Sequence, residues 1–508
     1  TGSGKTEVYM RLIERVLEAG RGALVLVPEI ALTPQLVARF RARLPAPIVA
    51  LHSSLAEGAR ATAWRAAASG RAPVVIGTRS AIFAPMPALG LVVVDEEHDA
   101  SYKQQEGFRY SARDLAVARA QRAGIPVVLG SATPSLESLA NAVAGRYTRL
   151  ALPERTGRAG KPSVAVVDLR VNPARDGLSP PATAAIERHL GAGGQVLVFL
   201  NRRGYAPTMF CSGCGWVAPC KACDARLTVH LRRARLVCHH CGAEEPMPFG
   251  CPRCGNELSP VGEGTERVET ALTQLFPSAP LVRIDRDVIR RRGEMEQALA
   301  SVADGRARIL LGTQMLTKGH DFPEVTLVVV LAADQGLFSA DFRASERLAQ
   351  QIVQVAGRAG RGDRPGEVLI QSAYPQHPLL QCLIAEGYEG FATLALAERR
   401  AAGWPPYSHL ALLRADGPVR AELFGFLHAA HAIAPAARAA SDSALRLLGP
   451  APAAMARRAG RHRAQLLVES PARAALQNFL AQWVPEIAKL RAPRPLRWSV
   501  DVDPAEVD

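Results

Sequence analysis

Short apolar runs that each close on a polar motif recur along this chain, and a parallel α/β sheet is the architecture that accommodates them. Leu24-Val25-Leu26-Val27 runs into Pro28-Glu29-Ile30, and Val74-Val75-Ile76 into Gly77-Thr78-Arg79-Ser80. Leu91-Val92-Val93-Val94 runs into Asp95-Glu96-Glu97-His98-Asp99, and Val127-Val128-Leu129 into Gly130-Ser131-Ala132-Thr133-Pro134. Helix-length stretches separate them, so the strands are expected to be buried on both faces and to present ligands at their carboxyl ends. After a stretch rich in Pro, Gly and Arg, 153–190, expected as a linker, the pattern returns. Val196 to Leu200 meets Asn201-Arg202-Arg203-Gly204, Arg308 to Leu311 meets Gly312-Thr313-Gln314-Met315, and Leu327 to Leu331 runs toward Asp334. Val368 to Gln371 closes the series. The expected organisation is a first lobe over 1–152, a second over 191–375 and a small α+β C-terminal domain over 376–508.

Thr1-Gly2-Ser3-Gly4-Lys5-Thr6 is the back half of a phosphate-binding loop, with the first glycine and its leading strand expected upstream, so the chain reads as an N-terminally truncated piece. In such a loop backbone N–H groups cradle phosphates, a lysine reaches the β/γ-phosphates and a hydroxyl ligates Mg²⁺. Gly2, Ser3, Gly4, Lys5 and Thr6 are therefore the candidate ATP-binding residues. Val8, Leu12, Ile13, Val16 and Leu17 share one face of the helix that follows, whose positive end lies under the phosphates. A buried strand ending on Asp95-Glu96 supplies the complement. Asp95 joins Thr6 in holding Mg²⁺ and Glu96 orients the attacking water.

Eight of the nine cysteines fall between 211 and 254 as Cys-x-x-Cys pairs: Cys211/Cys214, Cys220/Cys223, Cys238/Cys241 and Cys251/Cys254. Two such pairs make one tetrahedral site, so four pairs predict two structural Zn²⁺. Joining the first two pairs would close a cramped loop. Nested pairing gives an ordinary spacing for the inner site, and a crossed arrangement stays open. The cysteines interrupt the second lobe, so 211–255 reads as an insertion with a basic surface carrying Arg226, Arg232, Arg233 and Arg235.

The formal net charge of +14 favours polyanionic partners, nucleic acid first. No apolar run is long enough to span a bilayer, and a soluble, cytoplasmic protein with no membrane partner is expected. Beyond the Asp-Glu strand, Tyr102, Phe108 and Tyr110 interleave with Lys103, Arg109 and Arg113. Aromatic faces that stack bases beside cations that hold phosphates are what single-strand binders use. The competing reading of the same aromatics is packing in the first lobe.

Two lobes, the first with a lysine loop and Asp-Glu-Glu-His, the second with Gln354-Val355-Ala356-Gly357-Arg358-Ala359-Gly360-Arg361, resemble the superfamily-2 helicases, built on two RecA-like lobes. The resemblance implies that Gln354, Arg358 and Arg361 join the ATP site, the two arginines as fingers in cis. With the double Cys₄ insertion it narrows to the primosomal replication-restart helicases, the primosomal protein N′ (PriA) family. Matching strings include Ser101 to Tyr110, Lys318-Gly319-His320-Asp321-Phe322, Leu337 to Arg343 and the closing Trp498 to Pro504. The resemblance covers essentially the whole chain, and it implies ATP-driven 3′→5′ movement on single-stranded DNA, recognition of branched DNA at stalled forks, and primosome assembly. It implies partners too: single-stranded-DNA-binding protein, whose acidic tail would meet Arg461 and Gln465, and other primosome proteins. The resemblance also implies an N-terminal DNA-binding region, which is expected upstream of residue 1 and outside this sequence. Two other readings remain, a primosome assembly platform whose ATPase is dispensable or lost, and another superfamily-2 translocase.

Overall fold

The computed structural model describes residues 3–28, 34–152, 160, 162–201, 208–230, 234–261, 265–285, 294–313, 316, 322–339, 341–360, 364–439 and 444–507. The first lobe alternates helix and strand: α1 (Lys5–Glu18), β1 (Gly22–Leu26), α2 (Pro34–Arg43), β2 (Ile48–Leu51), α3 (Glu57–Ala68), β3 (Val74–Gly77), β4 (Leu89–Asp95), α4 (Ala112–Ala123), β5 (Val127–Gly130) and α5 (Leu136–Val143). The strands form one parallel sheet in the order β2-β3-β1-β4-β5. Leu24, Val25, Val75, Ile76, Val92, Val93 and Val94 are wholly buried, as runs covered on both faces must be. The carboxyl end of β4 thereby carries its acidic residues to the rim of the sheet.

The second lobe begins with β6 (Ser163–Asp168), α6 (Pro180–Gly191) and β7 (Gln195–Leu200). The chain then makes the five short strands of the cysteine region, β8 (Thr208–Phe210), β9 (Thr228–His230), β10 (Arg235–Val237), β11 (Glu244–Pro246) and β12 (Ser259–Val261). It returns through α7 (Thr265–Leu275), β13 (Leu281–Ile284), α8 (Glu294–Ala303), β14 (Ile309–Gly312), β15 (Val325–Leu331), α9 (Asp334–Leu337), α10 (Ala344–Ala356), β16 (Glu367–Ser372) and α11 (Pro378–Ala402). Six strands form a second parallel sheet, β13-β14-β7-β15-β16-β6. Two parallel α/β lobes are what the recurring strands predicted, and the resemblance implied that they are RecA-like.

One expectation needs correction. The stretch expected as a linker contributes β6, which pairs in parallel with β16 from Ser163↔Glu367 to Asp168↔Ser372, and α6, capped by the Ser179 side chain accepting from the Ala182 amide. An edge strand is covered less fully than a central one, and only Val167 of β6 is buried, so its apolar signal is weak beside the surrounding Pro, Gly and Arg.

Residues 3–201, 272–338 and 344–396, as far as described, form one compact unit that contains both parallel sheets. Residues 202–271, 339–343 and 397–508 form a second. Besides the cysteine region, this second unit holds β17 (His409–Gly417), α12 (Arg420–Ala439), β18 (Arg446–Arg458), β19 (Arg461–Ser470), α13 (Arg473–Lys489) and β20 (Arg497–Val502). Its antiparallel sheet, β18-β19-β17-β20, packs against α12 and α13 around Trp483, whose indole N–H donates to the Ala430 carbonyl at 2.9 Å. This is the α+β domain expected at the C-terminus.

Candidate nucleotide and nucleic-acid site

Gly4 begins α1 in the left-handed conformation, φ 85°, which a residue with a Cβ adopts only under strain. From the first turn Lys5 extends to β4, its Nζ donating to Glu96 Oε1 at 2.6 Å and lying 3.9 Å from Asp95 Oδ1. Ser3, Gly4 and Thr6 occupy the same helix start. Gly2 lies outside the described residues. Tyr9, one turn along α1, donates its hydroxyl to Asp95 Oδ1 at 2.9 Å. Gly130, opposite Asp95 in the sheet, leaves room for that ring: a Cβ there would sit 1.6 Å from the Tyr9 hydroxyl. No motif pointed to Tyr9.

Glu96 adopts φ 47°, so the chain turns sharply at the strand end and successive carboxylates part company. Burial, then the Glu96 charge, raises the Asp95 carboxyl above its ordinary range against the pull of Lys5. Burial also pushes Glu96 up, but Lys5 and His98 outweigh it and its carboxyl ends below the ordinary range. Glu96 Oε2 has no hydrogen-bond partner among the described residues. A buried carboxylate oxygen without a donor is what a site for a water or a cation presents. Glu97 points elsewhere, accepting from the Ser135 amide at 2.6 Å and from the Ser135 and Ser138 hydroxyls at 3.0 Å each.

The second lobe reaches this rim through α10. Gln354 Nε2 lies 2.5 Å from His98 Nε2, and His98 Nδ1 lies 2.7 Å from Ser131 Oγ and 3.7 Å from Glu96 Oε2. Glu346 accepts from the Leu136 amide at 2.9 Å, and the Tyr388 hydroxyl of α11 donates to the Pro134 carbonyl at 2.7 Å. Lys5, Asp95 and Glu96 thus share one rim, which Gln354 reaches through His98. Arg358 is buried on the turn after α10 and makes no ion pair with Asp95 or Glu96 among the described residues. Arg361 lies outside the described residues.

Of the aromatic loop, Tyr102 does not face solvent. It is 2% exposed and donates to the Asp95 carbonyl at 2.6 Å, so the expectation that it stacks a base is corrected: burial of the ring and the need to pair its hydroxyl make it a strut under the end of β4. Phe108 is 77% exposed and stands 5.9 Å from Tyr110, whose other side meets Phe83 edge-on at 4.9 Å. Phe83 is half exposed and escaped the sequence reading because it lies upstream, in the turn Arg79–Phe83. With Trp64, Arg60 and His52 it lines a cavity of about 420 Å³. Lys103 and Arg109 flank the loop, and Arg79 donates to the Ser101 and Lys103 carbonyls at 3.1 Å, fixing its base.

In the second unit the cysteines form two clusters, Cys211, Cys214, Cys251 and Cys254, and Cys220, Cys223, Cys238 and Cys241, with the sulfurs of each within 4.8 Å of one another. The pairing is nested. Close Sγ–Sγ separations are 3.4, 3.6 and 3.7 Å, far above a disulfide bond and near the edge of about 3.8 Å that a tetrahedron of 2.3 Å Zn–S bonds requires. Both clusters therefore suit zinc. Arg461 and Gln465, expected at a partner surface, are engaged internally. The Arg461 guanidinium donates to the Asp416 carboxylate and to the Pro495 carbonyl, and Gln465 Nε2 donates to the Val507 carbonyl at 2.7 Å.

No helix among the described residues is long and apolar enough to cross a membrane. Residues 1–142 match the DEAD/DEAH box helicase family and 264–363 the helicase conserved C-terminal domain. Residues 220–246 match the PriA DNA helicase Cys-rich region domain, and 400–505 the primosomal protein N C-terminal domain. Over its whole length the chain is 46% identical to a replication restart protein PriA of Haemophilus influenzae, of which it covers 69%. It is 42% identical to those of Bacillus subtilis and Synechocystis, matching 99% and 100% of this chain and 63% and 62% of theirs. The chain thus spans about two thirds of the length of these relatives.

Proposed function

The chain belongs to the family of the replication restart protein PriA, and on that premise we propose that it is an ATP-driven DNA motor, moving 3′→5′ on single strands at stalled or branched forks and promoting primosome assembly. The observation that carries this reading is Lys5 bridging the strand-end carboxylates while Glu96 Oε2 is left without a donor. Until nucleotide arrives, Lys5 is the counter-ion of Glu96. A phosphate is the stronger acceptor for Lys5, and its arrival frees Glu96 to hold and orient the attacking water. Ser3, Gly4 and Thr6, with Gly2, surround the phosphates at the positive end of α1. Thr6 and Asp95 would hold Mg²⁺, which when bound neutralises phosphate charge. Arg358 and Arg361 stabilise charge on the transferring phosphoryl group, and Gln354, through His98, ties α10 to the same rim.

Single-stranded DNA meets Phe108, Tyr110, Lys103 and Arg109, with Phe83 extending the stacking surface. Tyr102 then links the DNA-contacting loop to Asp95 by one hydrogen bond, so strand contact and hydrolysis share a lever. In the second unit, Arg461 and Gln465 are proposed to receive the acidic tail of single-stranded-DNA-binding protein, which must compete with Asp416 for Arg461. The protein acts in the cytoplasm beside other primosome proteins.

The test is the ATPase rate of the full chain with and without single-stranded DNA. Lys5→Ala should abolish hydrolysis, and Arg358→Ala should lower turnover about 10³-fold with nucleotide binding retained. Phe108→Ala, which forfeits about 1–3 kcal/mol of stacking, should keep the DNA-free rate and lose most stimulation. Unchanged stimulation at saturating DNA would sink the lever, and parental turnover in Arg358→Ala would sink the finger.

A further inference from the structure

The four cysteine turns are not built alike. Three read Cys-x-x-Cys-Gly, with Gly215, Gly242 and Gly255 after Cys214, Cys241 and Cys254, and these glycines adopt φ of 72°, 77° and 77°. That left-handed step folds the chain back so that the amide two residues past the cysteine faces its sulfur. Trp216 serves Cys214, Ala243 serves Cys241 and Asn256 serves Cys254 in this way. The remaining turn has Asp224 where the others have glycine, and Asp224 stays out of the left-handed region.

The Cys223 sulfur receives its amide from elsewhere. Ala459 N–H, 236 positions along the chain, donates to it at 3.1 Å. Ala459 and Gly460, with φ of 51° and 77°, are the two-residue tip of the β18–β19 hairpin, the geometry of a type I′ turn. Three more hydrogen bonds join the tip to the cluster. The Asp224 amide donates to the Arg457 carbonyl at 2.9 Å, the Gly460 amide to the Ala222 carbonyl at 2.7 Å, and Arg458 Nε to the His240 carbonyl at 3.0 Å. Ala222 and His240 lie inside the two Cys-x-x-Cys turns of the inner cluster, so the tip clasps both halves of it.

We infer that the hairpin tip 457–460 is part of the inner metal site, so that zinc at Cys220, Cys223, Cys238 and Cys241 and docking of the C-terminal hairpin are thermodynamically linked. An N–H aimed at a metal-bound thiolate spreads its charge and orients it, as outer-shell partners do. Linkage is reciprocal: whatever the tip adds to zinc affinity, zinc adds to the docking of the tip. The inference rests on the two-zinc reading above.

The test follows zinc release from the full chain into excess chelator with a colorimetric zinc reporter. Parent protein should release two equivalents. Ala459→Pro removes the N–H and, because proline is fixed at negative φ, also breaks the left-handed turn of the tip; it should speed release of one equivalent about 10–100-fold, while the other leaves at its parental rate. Asp224→Gly in that background supplies the local left-handed step and should slow release again. The reverse arm is amide exchange at 457–461: protection should be lost in Cys220→Ser and kept in Cys211→Ser. Parental release of both zincs from Ala459→Pro, or equal protection of the tip in the two cysteine variants, would overturn the linkage. Fewer than two zincs in the parent would instead remove the two-site reading, and this inference with it.

Discussion

Asp95 and Glu96 are chain neighbours whose carboxyls are driven in opposite directions, and the sign of each has a consequence. Asp95 is raised by burial and by Glu96, so its ionised form is costlier in the folded chain than in the unfolded one. That cost is absent in acid and appears as pH rises through the folded value. Glu96 is lowered, so it contributes stability above the ordinary glutamate range that is lost as pH falls through its folded value. Asp95→Asn keeps an acceptor for Tyr9 and should therefore raise Tm at pH 7 in metal-free buffer, by about 2–4 °C per kcal/mol released. At pH 4 the gain should shrink, and calorimetry at the two pH values checks it; a lower Tm at pH 7 would reverse the assignment. That Lys5 lies beside Asp95 and Glu96 was legible because a phosphate-binding loop and an Asp-Glu strand end prescribe residue type and spacing together. Tyr9 and Gly130 were not, because their fit is a matter of one ring filling the space one missing Cβ leaves. Tyr102 misled for a related reason: an aromatic among cations reads the same whether its ring is wet or dry.

Among the elements, α5 shows how far local pattern carries and where it stops. Ser135 caps it by accepting from the Ser138 amide, with Glu137 in the first turn. What its apolar face packs against was not visible. Leu136 is wholly buried and joins the core of the second lobe with Leu197, Phe199, Val328 and Ile352, and Leu139 packs beside it. Such a contact depends on residues far along the chain, from Leu197 to Ile352, and periodicity carries no such information. Leu136→Ala should cost about 2–5 kcal/mol. Because the cavity opens between lobes, amide exchange should quicken in β7 and β15 as well as in α5. Faster exchange confined to α5 would place Leu136 in the first lobe alone. The strand β6 was missed for the opposite reason, its composition being that of a loop while its register with β16 is continuous.

At the scale of the whole molecule, the two compact units rest on different physics. The first has two sheets, each with wholly buried strands. The cysteine region of the second has strands of three residues and a small core of its own, dominated by the cysteines, so metal must supply much of its order. Chelation in denaturant-free buffer should therefore remove two zinc equivalents and collapse amide protection in β9, β10 and β11, while β4 and β15 stay protected. Loss of protection in all five together would show one cooperative molecule. Nested pairing was among the arrangements the spacing allowed, and the geometry of the sulfurs decided it. Residues 133–138, finally, are held from below by Glu97 and from across the cleft by Glu346, Gln350 and Tyr388. Ancestry should bear the mark of that double grip. Recombination between related genes can exchange one lobe freely only where this six-residue strip and its three distant holders descend from the same parent, so crossover points that part them should be rare among viable hybrids.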